Sequence, residues 1–141
     1  MSQENVEIVR EAWRGLMSAD PAAALSVFNP NVIYENDLLP DGAGETYHGI
    51  EGVVKAWALW AQPWATLETD LEWVRGAGDD VVSCHLARMR GKGSGIATNM
   101  RYAYLWRFRA GKVVYCKAFR NPNDALAAAG LSKQDAHTDS S

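Results

Sequence analysis

The chain is short of several things, and each shortage closes a class of function. Its 141 residues contain two cysteines, Cys84 and Cys116, with no CxxC pair and no Cys/His ligand spacing. That excludes a disulfide scaffold and a zinc module, and leaves each cysteine to pack as a small hydrophobe. There is no excess of positive charge: 14 Lys+Arg stand against 17 Asp+Glu, for a net charge of −3. Nucleic-acid binding normally needs a basic stripe, and the short run Arg88, Arg90, Lys92 reads as a solvated strand end. No apolar run approaches the roughly 20 residues that span a bilayer. Nor do the first residues, Met1-Ser2-Gln3-Glu4-Asn5, carry a basic stretch or an apolar signal core. A membrane partner is therefore not expected, and a cytoplasmic location is the default expectation.

What is present is patterned. Over residues 3–19, Val6, Val9, Trp13, Leu16 and Met17 recur at helical spacing, with Glu4, Glu7, Arg10, Glu11 and Arg14 on the other side. Ser2 is placed to cap this helix. Asp20-Pro21 is a second start signal, cap then first-turn proline, for a short helix ending at Asn29-Pro30. Val32, Ile33 and Tyr34 mark a first strand over 31–36. Residues 37–48, with Pro40, Gly42 and Gly44, read as a loop. A third helix is expected from Gly49 to Gln62, with Ile50, Val53, Val54, Trp57 and Trp60 along one face.

From Trp64 the period changes to two. Glu68, Asp70 and Glu72 alternate with Leu67, Thr69, Leu71 and Trp73, a strand with one wet face. Strands over 81–90, 96–108 and 112–120 follow, separated by short turns at 76–80, 91–95 and 109–111. The glycine-rich turn at 91–95 lacks the spacing and following helix of a phosphate loop. Asn121-Pro122 opens a last short helix that Gly130 can close. The polar residues 132–141 are expected to be a disordered tail, leaving one domain over 1–131.

Helices grouped before strands joined by short turns predict an α+β fold with antiparallel pairing. A long sheet coils as it twists, so helices across its concave side enclose a cavity. In period two, Tyr34 and Asn36 share one face of the first strand and Glu35 the other; a one-residue bulge would exchange them and turn Glu35 or Asp37 inward. His85, mid-strand among Val82, Cys84, Leu86 and Ala87, is the candidate acid–base group, and Tyr104 a candidate donor. The alternative for His85 is a hydrogen-bonded place in a polar patch; His48, before the third helix, reads as a surface or packing residue. Trp13, Trp57, Trp60, Trp106 and Tyr102, with small Ala118, are the expected ligand-contacting residues of an apolar pocket.

The order of these elements resembles the nuclear transport factor 2-like superfamily, and within it the SnoaL-like proteins. The residues carrying the resemblance are Asn5-Val6-Glu7-Ile8-Val9-Arg10, Asp20 before an Ala/Leu helix, and Phe28-Asn29-Pro30-Asn31-Val32. Further along are Tyr47-His48-Gly49-Ile50-Glu51-Gly52-Val53, Gly78-Asp79-Asp80-Val81-Val82, and Trp106-Arg107-Phe108-Arg109-Ala110-Gly111-Lys112-Val113. The resemblance implies a cystatin-like cone around a pocket, usually in a homodimer, with no metal or organic cofactor. It does not imply one reaction. Ketosteroid isomerase places a carboxylate base where this chain has Asn36, and donors where it has Ala12 and Tyr104. Limonene-epoxide hydrolase carries a Tyr-x-Asn pair like Tyr34-Glu35-Asn36. Its Asp-Arg-Asp trio is matched only by His85, Ala87 and Ala118.

Three readings follow. The first is a cofactor-independent hydrolase, isomerase or cyclase acting on a small apolar cyclic molecule through Tyr34, Asn36, His85 and Tyr104. The second is a protein that binds such a molecule without changing it. The third is a dimeric interaction module using the outer sheet face, where Tyr115 and Phe119 alternate with inward Val114, Cys116 and Ala118.

Overall fold

Period-two sequence from Trp64 onward makes the body of the fold. In the computed structural model, which describes residues 2–18, 21–38 and 45–131, the elements run α1 (Ser2–Met17), α2 (Pro21–Leu25), β1 (Phe28–Asn36) and β2 (Glu45–His48). Then come α3 (Gly49–Ala61), β3 (Trp64–Ala77), β4 (Asp80–Gly91), β5 (Ala97–Arg109), β6 (Lys112–Phe119) and α4 (Pro122–Ala128). The strands form one curved six-stranded sheet in the order β2-β1-β6-β5-β4-β3. The domain is α+β, as expected. The capping side chain of Ser2, the Asp20 cap, the glycine loop around Gly42 and the tail from 132 lie outside the described residues.

Two features depart from a purely antiparallel meander. Strand β1 pairs with β6 in parallel, Tyr34 beside Cys116 and Asn36 beside Ala118, so the sheet is mixed. Residues 45–48, expected in a loop, form β2 and pair antiparallel with β1, Tyr34 opposite Tyr47. The chain between the third helix and the first strand therefore turns back on itself before the helix begins.

Helix α1 buries Val6, Val9, Ala12 and Trp13 against the sheet, while Met17 stays 47% exposed. Helix α3 buries Val53, Ala56 and Trp60 and turns Val54 to solvent. Gly49 starts α3 at φ +73°, where an added Cβ would meet the Pro30 carbonyl oxygen at 3.3 Å. The main core lies between these helices and the concave face of the sheet. A smaller cluster forms on the outer face, where α4 lays Ala125 and Leu126 over Val82, Ala103, Leu105 and Phe119.

Bulges alter two expected alternations. On β3 the register to β4 slips between Leu71 and Trp73, so Glu72 is the extra residue. Leu71 packs on the main core and Trp73 on the outer cluster, not on one face together. On β6 the register to β5 slips between the Arg107 and Phe108 pairs. Val113, rather than Val114, accordingly joins Cys116 and Ala118 in the core. Phe119 lies under α4 and is 9% exposed, so that part of the outer face is covered by the chain itself.

The acidic row on β3 is a wet face: Arg88 pairs with Asp70 and Arg101 with Glu72. No helix among the described residues is long and apolar enough to cross a membrane.

Candidate functional site

Strand register explains how residues far apart in sequence meet. Along one row of the concave face, Asn36 neighbours Ala118, Ala118 neighbours Tyr104, and Tyr104 neighbours Ser83. One row over, Tyr34 neighbours Cys116, Cys116 neighbours Trp106, and Trp106 neighbours Val81. On the other side Tyr102 neighbours His85, which neighbours Leu71. Alternation then keeps Tyr34, Asn36, His85 and Tyr104 on one face. All four are buried, the most exposed being Tyr104 at 3%.

These residues do not form one open constellation. The cavity beneath α1 and α3 has a volume of about 220 Å³ and is lined by Trp13, Leu16, Met17, Trp57, Trp60, Ala61, Leu67, Thr69, Tyr102 and Tyr104. Of the four polar candidates only Tyr104 reaches its wall. Trp13, Trp57, Trp60 and Tyr102 also lie there, while Trp106 and Ala118 sit deeper in the core. Leu16, Met17, Ala61, Leu67 and Thr69 are wall residues not expected to contact a ligand; helical spacing marked Leu16 and Met17 as apolar-face residues and the β3 alternation marked Leu67 and Thr69, while nothing local marked Ala61.

Behind the wall the polar groups are chained. The Trp106 indole N–H donates to Ser83 Oγ at 2.8 Å, and Ser83 Oγ lies 2.8 Å from His85 Nε2. The Ser83 oxygen spends one lone pair on Trp106 and keeps both its own proton and a second lone pair for Nε2, so either ring tautomer of His85 fits this contact. Nδ1 is buried and without a partner. The His85 ring stacks on Tyr102 at 5.1 Å and 22° and lies 4.0 Å from the Trp13 ring, centroid to centroid. Enclosure among aromatic rings, with no carboxylate beside it, drives the His85 pKa down to about 3. It is neutral at pH 7 and a very weak base.

The hydroxyls are equally enclosed. Tyr34 and Tyr104 hydrogen-bond one another, and burial raises both phenols well above their ordinary value. Tyr102 pairs with Thr69 Oγ1 at 3.1 Å, and burial pushes its pKa up to about 12. Asn36 Oδ1 accepts from the Leu38 backbone N–H at 2.8 Å, an Asx turn that ends β1, and its Nδ2 has no partner. Glu35 points the other way and accepts from the Tyr115 hydroxyl on the outer face. The bulge in β1 falls before Ile33, between it and Phe28, so the faces of Tyr34 and Asn36 are not exchanged. Burial pushes the Cys84 thiol up to about 12 and raises that of Cys116 well above its usual range. Neither suits a nucleophile.

No group of three or more His, Cys, Asp or Glu side chains among the described residues is arranged to hold a metal ion. A second, more polar cleft of about 650 Å³ lies at the other end of the sheet, between Glu4, Asn5 and Ile8 of α1 and the Arg107–Gly111 turn. Its Arg107 is held by Asp80, Nε to Oδ1 at 2.9 Å.

The model of the SnoaL-like domain family matches residues 9–116, which run from α1 through the concave face to β6. The chain belongs to that family. Among solved structures, the SnoaL-like domain is similar to an NTF2-like protein of unknown function from Burkholderia pseudomallei. The identity is 20%, the TM-score 0.73, and 88% of this chain and 95% of that one are covered. It is also similar to a putative SnoaL-like polyketide cyclase from Jannaschia sp. CCS1, at 21% identity and TM-score 0.69 over 84% and 85% of the two chains. A third likeness is to TerC, co-crystallized with polyporic acid, at 19% identity and TM-score 0.70 over 91% and 97%. At these identities the likeness concerns the fold. No curated protein matches the chain.

Proposed function

We propose that this SnoaL-like domain binds a small, uncharged, apolar cyclic molecule in the cavity beneath α1 and α3, without transforming it. The cavity wall carries the reading: Trp13, Trp57, Trp60, Tyr102 and Tyr104 supply flat surfaces, and none of the lining residues is Asp, Glu, Lys, Arg or His. Such a wall rewards burial of ring carbon and penalises a desolvated charge. That TerC, of the same fold, has been crystallized with polyporic acid supports a small-molecule role. The reading requires no cofactor, and we extend it to a homodimer formed through the outer sheet face and acting in the cytoplasm.

Catalysis is the second reading, and the Trp106–Ser83–His85 chain favours it because it fixes the His85 ring. His85, however, is a poor base at a pKa of about 3 and sits behind the wall rather than on it. Incubation with a panel of cyclic ketones, epoxides and hydrocarbons tests both. Saturable quenching of tryptophan fluorescence with every compound recovered unchanged supports binding. Turnover that His85→Ala abolishes, with affinity kept, overturns it in favour of an enzyme. Sedimentation equilibrium tests the dimer, and a monomer at tens of micromolar would refute that part.

A further inference from the structure

The polar cleft at the other end of the sheet is open to a ligand whatever the aromatic cavity holds. Its walls are tied to one another. The Phe108 N–H donates to the Asp79 carbonyl oxygen at 2.8 Å, and Arg107 holds Asp80 through two hydrogen bonds of 2.9 and 3.2 Å. The β3–β4 and β5–β6 turns are therefore one piece. The second of them is tight: Ala110 and Gly111 lie at φ +51° and +79°, the paired left-handed residues of a hairpin turn. The start of α1 closes the remaining side, with Asn5 and Ile8 on one face of the helix. The space enclosed has a volume of about 650 Å³.

Asn5 is the residue that packing alone does not account for. It is 8% exposed and lines the cleft, yet its side chain makes no hydrogen bond among the described residues. A buried amide without partners costs free energy, and native packing rarely leaves one so. The charges around it are unmatched as well. Arg107 and Asp80 neutralise one another, whereas Glu4, Asp79 and Arg109, which also line the cleft, enter no ion pair among the described residues. One amide, two carboxylates and one guanidinium remain to be satisfied, beside an apolar floor of Ile8, Phe108 and Val114.

We propose that this cleft binds a short peptide with free termini. Asn5 holds a peptide group, Asp79 and Glu4 the ammonium, and Arg109 the terminal carboxylate, while an apolar side chain lies on the floor. An amide side chain donates and accepts at once, and a peptide group is its complement. A phosphate would meet two carboxylates and only one free arginine. A divalent cation lacks a ligand set, since no three His, Cys, Asp or Glu side chains among the described residues are arranged to hold one. A simple amine leaves Arg109 unmatched, and a hydrocarbon leaves Asn5 without partners.

The test uses leucyl-leucine, its N-acetyl form and its C-terminal amide with the full chain, by ¹H–¹⁵N spectra and calorimetry. Leucyl-leucine should bind saturably and move the Asn5 side-chain NH₂ signals with the backbone signals of the Arg107–Gly111 turn. The acetylated form lacks the ammonium and the amide form lacks the carboxylate, and each should bind about threefold or more weakly. Asn5→Leu, of similar size, should weaken leucyl-leucine about tenfold. Arg109→Gln should erase the preference for leucyl-leucine over its amide, and Asp79→Asn should reduce the preference over the acetylated form. Both of these positions are exposed, so the two variants and the blocked peptides read the site even if Asn5→Leu folds poorly.

The absence of saturable shifts at the cleft with millimolar leucyl-leucine overturns the proposal. Blocked peptides that bind as tightly as the parent overturn it too. So do shifts confined to the Trp57 and Trp60 indole signals, which would put the peptide in the aromatic cavity instead.

Discussion

Replacing His85 by glutamine should flatten the acid side of the stability curve. The histidine contacts aromatic rings and Ser83, and no charged group faces it; burial alone lowers its pKa from the ordinary 6.5 to about 3. A depressed histidine pKa means that the unfolded chain takes a proton which the folded protein refuses. Stability is therefore fully present above pH 6.5 and is lost as pH falls from there toward 3, at about 1.4 kcal/mol per pH unit. Between pH 7.5 and pH 5.0 that amounts to about 2 kcal/mol. The lowered carboxylates Asp70 and Glu72, held down by Arg88 and Arg101, lose their share at more acid pH and do so in both proteins. Urea unfolding of wild type and His85→Gln at the two pH values gives the answer. The wild-type midpoint should drop by about 1 M more than that of the variant, given typical urea slopes. The variant starts lower at pH 7.5, which does not matter to the slope. If the two proteins lose stability in parallel, His85 is hydrated in solution and the enclosure described above is wrong.

Ser83→Ala should cost about 1–3 kcal/mol in chemical denaturation, because it strips partners from the Trp106 N–H and His85 Nε2 while removing little volume. Leu126→Ala should cost about 2–5 kcal/mol by opening a hole beneath α4, and a loss under 1 kcal/mol would show that this helix is not seated on the outer face. Gly49→Ala should destabilise by about 1–3 kcal/mol, since its φ of +73° strains any L side chain and the Pro30 oxygen crowds the new carbon. Arg101→Ala, by contrast, should change the melting free energy by less than about 1 kcal/mol, because its bond to Glu72 is solvent-screened.

Much of this was legible because the chain is locally consistent. Helical spacing of Val6, Val9 and Trp13 marked α1 and its buried stripe, and period two marked the three long strands. The same alternation put Tyr34, Asn36, His85 and Tyr104 on one face. What stayed hidden was set by pairing rather than by pattern. Nothing local distinguishes Glu45–His48 from loop until Tyr47 finds Tyr34, and nothing in β1 announces that its neighbour is the last strand, running the same way. The Glu72 bulge moved Trp73 to the outer cluster, a shift that a run of strict alternation conceals. At the site, residue type suggested a titrating histidine. Its chemistry is instead decided by Trp13 and Tyr102, which come to it from other elements.

The parallel seam between β1 and β6 also bears on how the protein can be made. Residues 28–36 emerge from the ribosome long before residues 112–119, yet the N-terminal hairpin is joined to the rest of the sheet only through them. Closing that distance is slow, as it is for all pairings of high sequence separation. Until Phe119 has cleared the exit tunnel, β1 and β2 are an orphan pair with a bare edge, the kind of segment that chaperones shield and that a premature stop would leave prone to aggregate.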